Sequence, residues 1–121
     1  MQLVMLVDDD ELLRDLLQLR LEVEGWDVVT AADGAAAIAL LEGGAGPDVI
    51  VLDLMMPVMD GMRFMHALAE RVPNPPAVVV LSALDKPEIR SSLLGAGARE
   101  VVRKPVELQV LLCALHAASG G

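Results

Sequence analysis

The sequence predicts an α/β fold, a parallel sheet with helices on both faces, and three observations lead there. Five short runs rich in Val, Ile and Leu recur along the 121 residues, and such runs mark strands buried on both faces. Segments of helical length separate them, and this alternation implies right-handed crossovers between parallel strands. Glycine and proline fall at the ends of these segments and between them.

The first strand covers Leu3–Val7 and runs into Asp8, Asp9 and Asp10. Asp10 suits the cap of a helix over 11–24, which Gly25 ends as a C′ glycine. A second strand follows over 27–30, with Trp26 at its start. Asp33-Gly34 opens a helix over 34–41, closed by Gly43-Gly44-Ala45-Gly46-Pro47. The third strand, 48–53, ends on Asp53. Asp60 suits the cap of a helix over 62–71, and Pro73, Pro75 and Pro76 close it off. The fourth strand is Ala77–Ser82. Pro87 fits the first turn of the helix Pro87–Gly95, where its missing N–H is harmless. The fifth strand, Glu100–Arg103, runs into Lys104-Pro105, and a final helix covers 106–117.

The totals narrow the function. A chain of 121 residues is expected to be one domain, 1–121, with a core of its own. With 55% hydrophobic residues but one Phe, one Trp and no Tyr, that core must be aliphatic. A net charge of -9 argues against direct nucleic-acid contact, because phosphate binding needs Lys and Arg. The single cysteine, Cys113, excludes an internal disulfide and a multi-cysteine zinc site, and it fits a reducing cytoplasm. The apolar run 35–41 is too short to span a bilayer, and the start lacks a signal-peptide pattern. A cytoplasmic domain with no membrane association is expected.

In a parallel sheet the carboxyl ends of the strands form the ligand crevice. Asp8, Asp9, Asp53 and Lys104 therefore converge at one edge. Oxygen-only ligands favour Mg2+ over zinc, so the three aspartates are a candidate site for that ion. Helix capping explains Asp10 well and Asp9 passably, but it does not explain Asp53. A carboxylate held against a divalent ion can attack phosphorus and form an acyl phosphate. Ser82 can donate to a phosphoryl oxygen and Lys104 can pair with it as a point charge. Taken singly, Ser82 reads as a turn residue and Lys104 as one of only two lysines on a surface. Pro105 permits a cis peptide bond.

Five segments in order carry a family resemblance. They are Val7-Asp8-Asp9-Asp10, Asp53 through Gly61, Ser82-Ala83, Gly95-Ala96-Gly97-Ala98 and Lys104-Pro105. Together they resemble the receiver domain of two-component response regulators over the whole chain. The resemblance implies a flavodoxin-like (βα)5 fold with strand order 2-1-3-4-5. It implies that Asp53 is the phosphoacceptor. Mg2+ would be held by Asp8, Asp9, Asp53 and the backbone carbonyl of Met55. Ser82 and Lys104 would contact the phosphoryl group, with Pro105 as a cis proline. The donor would be a sensor histidine kinase or a histidine phosphotransfer protein, and the output a downstream domain or protein. No output domain and no DNA-binding motif is read in the 121 residues.

The chain also departs from that pattern. Val101 occupies the position usually held by Tyr or Phe, so a ring-rotation switch is unavailable in its usual form. Arg99-Glu100 replaces the common acidic pair, and Val106 replaces a frequent Phe. The final helix has no Lys or Arg, so the charged dimer seam of the transcription-factor branch is not expected. Met55 and Leu84, two residues after Asp53 and Ser82, are apolar where the family flanks the path of hydrolytic water. Slow self-dephosphorylation is expected from them.

The final helix shows a core stripe of Leu108, Leu111, Leu112 and Leu115 and a second apolar stripe of Val106, Val110, Cys113 and Ala117. The second stripe is either tolerated surface or a partner face, for a homodimer or a downstream domain. His66 and His116 read as ordinary surface or half-buried histidines. Two other functions compete with a phosphorylation switch. One is a receiver-fold binding module that works without phosphorylation. The other is an aspartyl-phosphate phosphohydrolase, disfavoured because Met55 stands where a general acid is needed.

Overall fold

The computed structural model describes residues 2–54, 58–83 and 86–120. Its elements are β1 (Leu3–Val7), α1 (Glu11–Val23), β2 (Asp27–Ala31), α2 (Gly34–Glu42), β3 (Val49–Leu54), α3 (Val58–Arg71), β4 (Ala77–Ser82), α4 (Pro87–Gly95), β5 (Glu100–Arg103) and α5 (Leu108–Ser119). The strands form one sheet in the order β2-β1-β3-β4-β5, and every neighbouring pair is parallel. The flavodoxin-like expectation is met.

Side chains alternate across each strand, and this divides the core into two layers. Met5 and Val7 of β1, Ile50 and Leu52 of β3, and Val78 and Val80 of β4 face α2, α3 and α4. Their intervening neighbours Val4, Leu6, Val49, Val51, Val79 and Leu81 face α1 and α5. Ile38, Phe64, Met65 and Leu93 close the first layer. Leu21, Leu111, Leu112 and Leu115 close the second, together with Trp26. The core is almost wholly aliphatic, as the composition requires.

Caps fix where the helices begin. The Asp10 carboxylate accepts from the Leu13 N–H at 3.1 Å, and Asp33 accepts from Ala36 at 2.7 Å, each satisfying an orphan donor of the first turn. Gly25, at φ +94°, takes the left-handed conformation that ends α1, a geometry glycine reaches without strain. Two helix starts differ from the sequence reading. The third helix begins at Val58 rather than Met62, which places Asp60 inside its first turn instead of at its cap. There it lies 3.9 Å from Arg63. The last helix runs from Leu108 to Ser119, with Glu107 at its N-cap position, because Val106 still belongs to the turn after Pro105. Among the described residues no helix is long and apolar enough to cross a membrane.

Candidate phosphoryl site

The register brings the chemistry-bearing residues to one edge. Asp8 directly follows β1, Asp53 is the penultimate residue of β3, Ser82 ends β4 and Lys104 directly follows β5. Leu81 pairs with Asp53 and Arg103 pairs with Ser82 across the sheet. Two backbone bonds pin the edge: Asp8 N–H donates to Ala31 O at 3.1 Å, and Lys104 N–H donates to Ser82 O at 2.8 Å. The Lys104–Pro105 peptide bond is cis.

Asp8, Asp53 and Ser82 are buried, at 1%, 5% and 2% exposure. They are the only polar residues so buried among those described, in a molecule that otherwise keeps its charges outside. Asp8 Oδ1 accepts from the Asp10 N–H at 2.9 Å. Its Oδ2 has no hydrogen-bond partner, nor does Asp53 Oδ1, although the latter is ion-paired with the Lys104 ammonium. Burial pushes the Asp8 carboxyl up from 3.8 to about 6, and the neighbouring Asp53 carboxylate adds to the rise. The Asp10 N–H and the Lys104 charge pull the other way. Two buried carboxylates beside one ammonium are thus held in a state that favours an added cation.

Asp9 stands apart, exposed to solvent. Among the described residues no group of three His, Cys, Asp or Glu side chains is gathered as a preformed metal cage. The three-aspartate site expected from the sequence is therefore a buried pair with a third carboxylate at its rim. That donor set still fits Mg2+, an ion that commonly takes one or two carboxylates and keeps several waters. Asp8 Oδ2, which has no hydrogen-bond partner, and the Asp53 carboxylate, held by Lys104, are what such an ion would bind. Met55 and Leu84 lie outside the described residues. Val101 is buried in the layer under α4.

Sequence reasoning missed three features here. Arg14, one turn into α1, donates to the Asp8 carbonyl at 2.9 Å. Arg90 of α4 donates to the Val101 carbonyl at 2.6 Å and to the Glu100 carboxylate at 2.9 Å. A groove of about 540 Å³ runs between α1 and α5, lined by Leu13, Leu16, Leu17, Val106 and Leu108, with Asp53 and Lys104 among its walls. An arginine reaching a distant carbonyl leaves no periodic trace in sequence. The leucines of α1 signalled a helix, not which of them stays uncovered.

A five-stranded doubly wound sheet with paired aspartates and a lysine at its carboxyl edge defines a class of signalling domain. Comparison with known proteins places it. The model of the response regulator receiver domain matches residues 4–116, and the chain belongs to that family. It is a receiver domain of the two-component response-regulator type. It is 39% identical over 114 residues to the probable transcriptional regulatory protein TcrX of Mycobacterium tuberculosis, an alignment covering 94% of this chain and 48% of TcrX. The chain thus spans about half the length of the curated relatives it matches. Among solved structures it resembles the Francisella response regulator 1452 receiver domain, with TM-score 0.86, 30% identity and coverage of 99% and 98% of the two chains. The receiver domain of sensor histidine kinase PA1611 from Pseudomonas aeruginosa shares the fold, with TM-score 0.83, 24% identity and coverage of 99% and 98%. That structure holds a magnesium ion in its active-site cleft.

Proposed function

We propose that Asp53 accepts a phosphoryl group from a sensor histidine kinase or a histidine phosphotransfer protein, and that the modified domain changes its association with a partner or with itself. The observation that carries this reading is the buried Asp8–Asp53 pair, Asp8 with an oxygen that has no hydrogen-bond partner and Asp53 ion-paired with Lys104. Asp53 supplies the nucleophilic oxygen, which forms the new P–O bond as the donor's P–N bond breaks. Lys104 offsets charge on the phosphoryl oxygens, and the Ser82 hydroxyl donates to one of them. Mg2+, held by Asp8, Asp53, the Met55 carbonyl and the rim carboxylate Asp9, would supply further charge neutralisation on those oxygens. The groove beside α1 gives an apolar bed for the donor where Asp53 and Lys104 are reached.

Output follows from differential affinity: the phosphoryl group favours one arrangement of the α4–β5 region, and a partner reads it. The relatives' names suggest control of transcription. An acidic domain of net charge -9 would exert it through an attached or separate output protein rather than by touching DNA. A cytoplasmic location accompanies this reading. A second reading, a binding module that works without phosphorylation, is favoured by Val101, which offers no ring to rotate.

Intact mass after incubation with Mg2+ and acetyl phosphate separates them. The expected result is a gain of one phosphoryl group that disappears without Mg2+ and in Asp53→Asn. No gain with the small donor and none from a panel of phosphorylated kinases would favour the binding module.

A further inference from the structure

Helix α1 carries more leucine than the fold uses. Leu17 and Leu21 pack inward on the β1–β3 layer. Leu12, Leu16, Leu19 and Val23 remain exposed, at 77%, 48%, 61% and 79%. Their spacing of four, three and four residues is the alternation that packs one helix along another. At 100° per residue they fall within roughly 60° of the helix surface, a narrow seam pointing away from the sheet. An exposed apolar stripe of this kind marks an interaction surface rather than scattered surface leucines.

The charges beside the seam are sorted. Asp15 and Glu22 flank one side and Arg20 flanks the other, all exposed. Where two such helices lie parallel, the residue on the acidic flank meets the residue five positions further on in the partner helix. Asp15 would then face Arg20 of a second copy, and two-fold symmetry makes that pair twice. An antiparallel arrangement would instead set Asp15 against Glu22, a like-charge contact. The pattern is self-complementary in one orientation only.

We propose that this chain forms a parallel homodimer through α1, with Leu12, Leu16, Leu19 and Val23 as the seam and Asp15–Arg20 as the flanking pairs. The α1 seam is larger in side-chain size than the α5 stripe, where Val110, Cys113 and Ala117 are the exposed apolar residues. Because Leu16 also lines the groove beside Asp53, self-association and docking of a phosphoryl donor would compete for part of α1. The dimer itself does not depend on the phosphoryl reading, and its test uses no phosphodonor.

Sedimentation equilibrium over a range of protein concentrations tests it. The wild-type mass is expected to climb from 12.8 kDa toward twice that value, and Leu12→Glu/Leu19→Glu should stay monomeric while keeping its helical circular dichroism. Those two residues lie outside the groove, so the variant leaves the walls around Asp53 and Lys104 intact. Asp15→Arg and Arg20→Asp should each weaken self-association, and mixing the two variants should restore a dimer. A wild-type monomer at every concentration overturns the proposal. So does a dimer that survives Leu12→Glu/Leu19→Glu but is lost in Val110→Glu. A tighter dimer in Asp15→Arg overturns the parallel orientation.

Discussion

A proton on Asp8 competes with a divalent cation for the same buried oxygens. Its folded carboxyl titrates near 6 against 3.8 for the ordinary group, first because burial disfavours the anion. The folded state therefore binds this proton more tightly than the unfolded chain. The stability it contributes is complete below about pH 4 and is lost as the pH rises through about 6. Above that, the metal-free protein carries the burial penalty of an anion, which a cation would relieve. The rise in melting temperature on adding Mg2+ should be larger at about pH 7.5 than at about pH 5, because ligands must be deprotonated to bind; equal shifts would contradict the assignment of Asp8. Asp53→Asn removes a charge that adds to the lift that burial gives Asp8, together with the carboxylate paired to Lys104. It should shrink the Mg2+ effect. The proposed acyl phosphate is expected to decay slowly, because neither Met55 nor Leu84 has a side chain that can orient water; Met55→Asn or Leu84→Glu should then speed the loss of label. The meeting of Asp8, Asp53, Ser82 and Lys104 at one edge was legible because each ends or follows an apolar run. The exposure of Asp9 was not, since two adjacent aspartates look alike until the backbone turns one of them outward.

Helix α4 is tied to β5 at Val101. The Arg90 guanidinium spans the Val101 carbonyl and the Glu100 carboxylate, and Glu100 also accepts from the Val101 N–H at 3.1 Å. The ion pair is half-exposed and worth little alone. The bond to the carbonyl is short and partly buried, so Arg90→Gln should cost about 1 kcal/mol. Amide hydrogen exchange should quicken in α4 and β5 while β1 and β3 keep their protection; unchanged exchange in α4 would show the contact to be idle. At this scale strands were easier to read than helices. All five followed from short runs rich in Val, Ile or Leu; β1, β3 and β4 are buried on both faces, while the edge strand β2 is only half-buried. The start of α3 was missed because Asp60 has the chemistry of a cap but lies within the first turn. The start of α5 was obscured because Val106 lies on the same helical period as Val110 and Cys113. The leucines of α1 spread over about half of its circumference, so only packing separates Leu17 and Leu21, which are used, from Leu12, Leu16 and Leu19, which with Val23 stay exposed.

Across the whole molecule, two aliphatic layers hold a flat set of strand ends, and that edge is where charge is allowed inside. Little stabilisation comes from the site itself, which crowds two carboxylates beside one lysine, and the layers of Leu, Ile and Val on each side supply it. The central claim is that this edge makes Asp53 an acceptor of phosphoryl groups. Peptide-level mass spectrometry of the protein treated with Mg2+ and acetyl phosphate tests that claim most directly. One phosphoryl group on the peptide containing Asp53, labile to hydroxylamine and absent when Mg2+ is chelated, is the predicted result. A phosphoryl group on any other residue, or an Asp53 peptide left unmodified while the folded protein binds Mg2+, would contradict it.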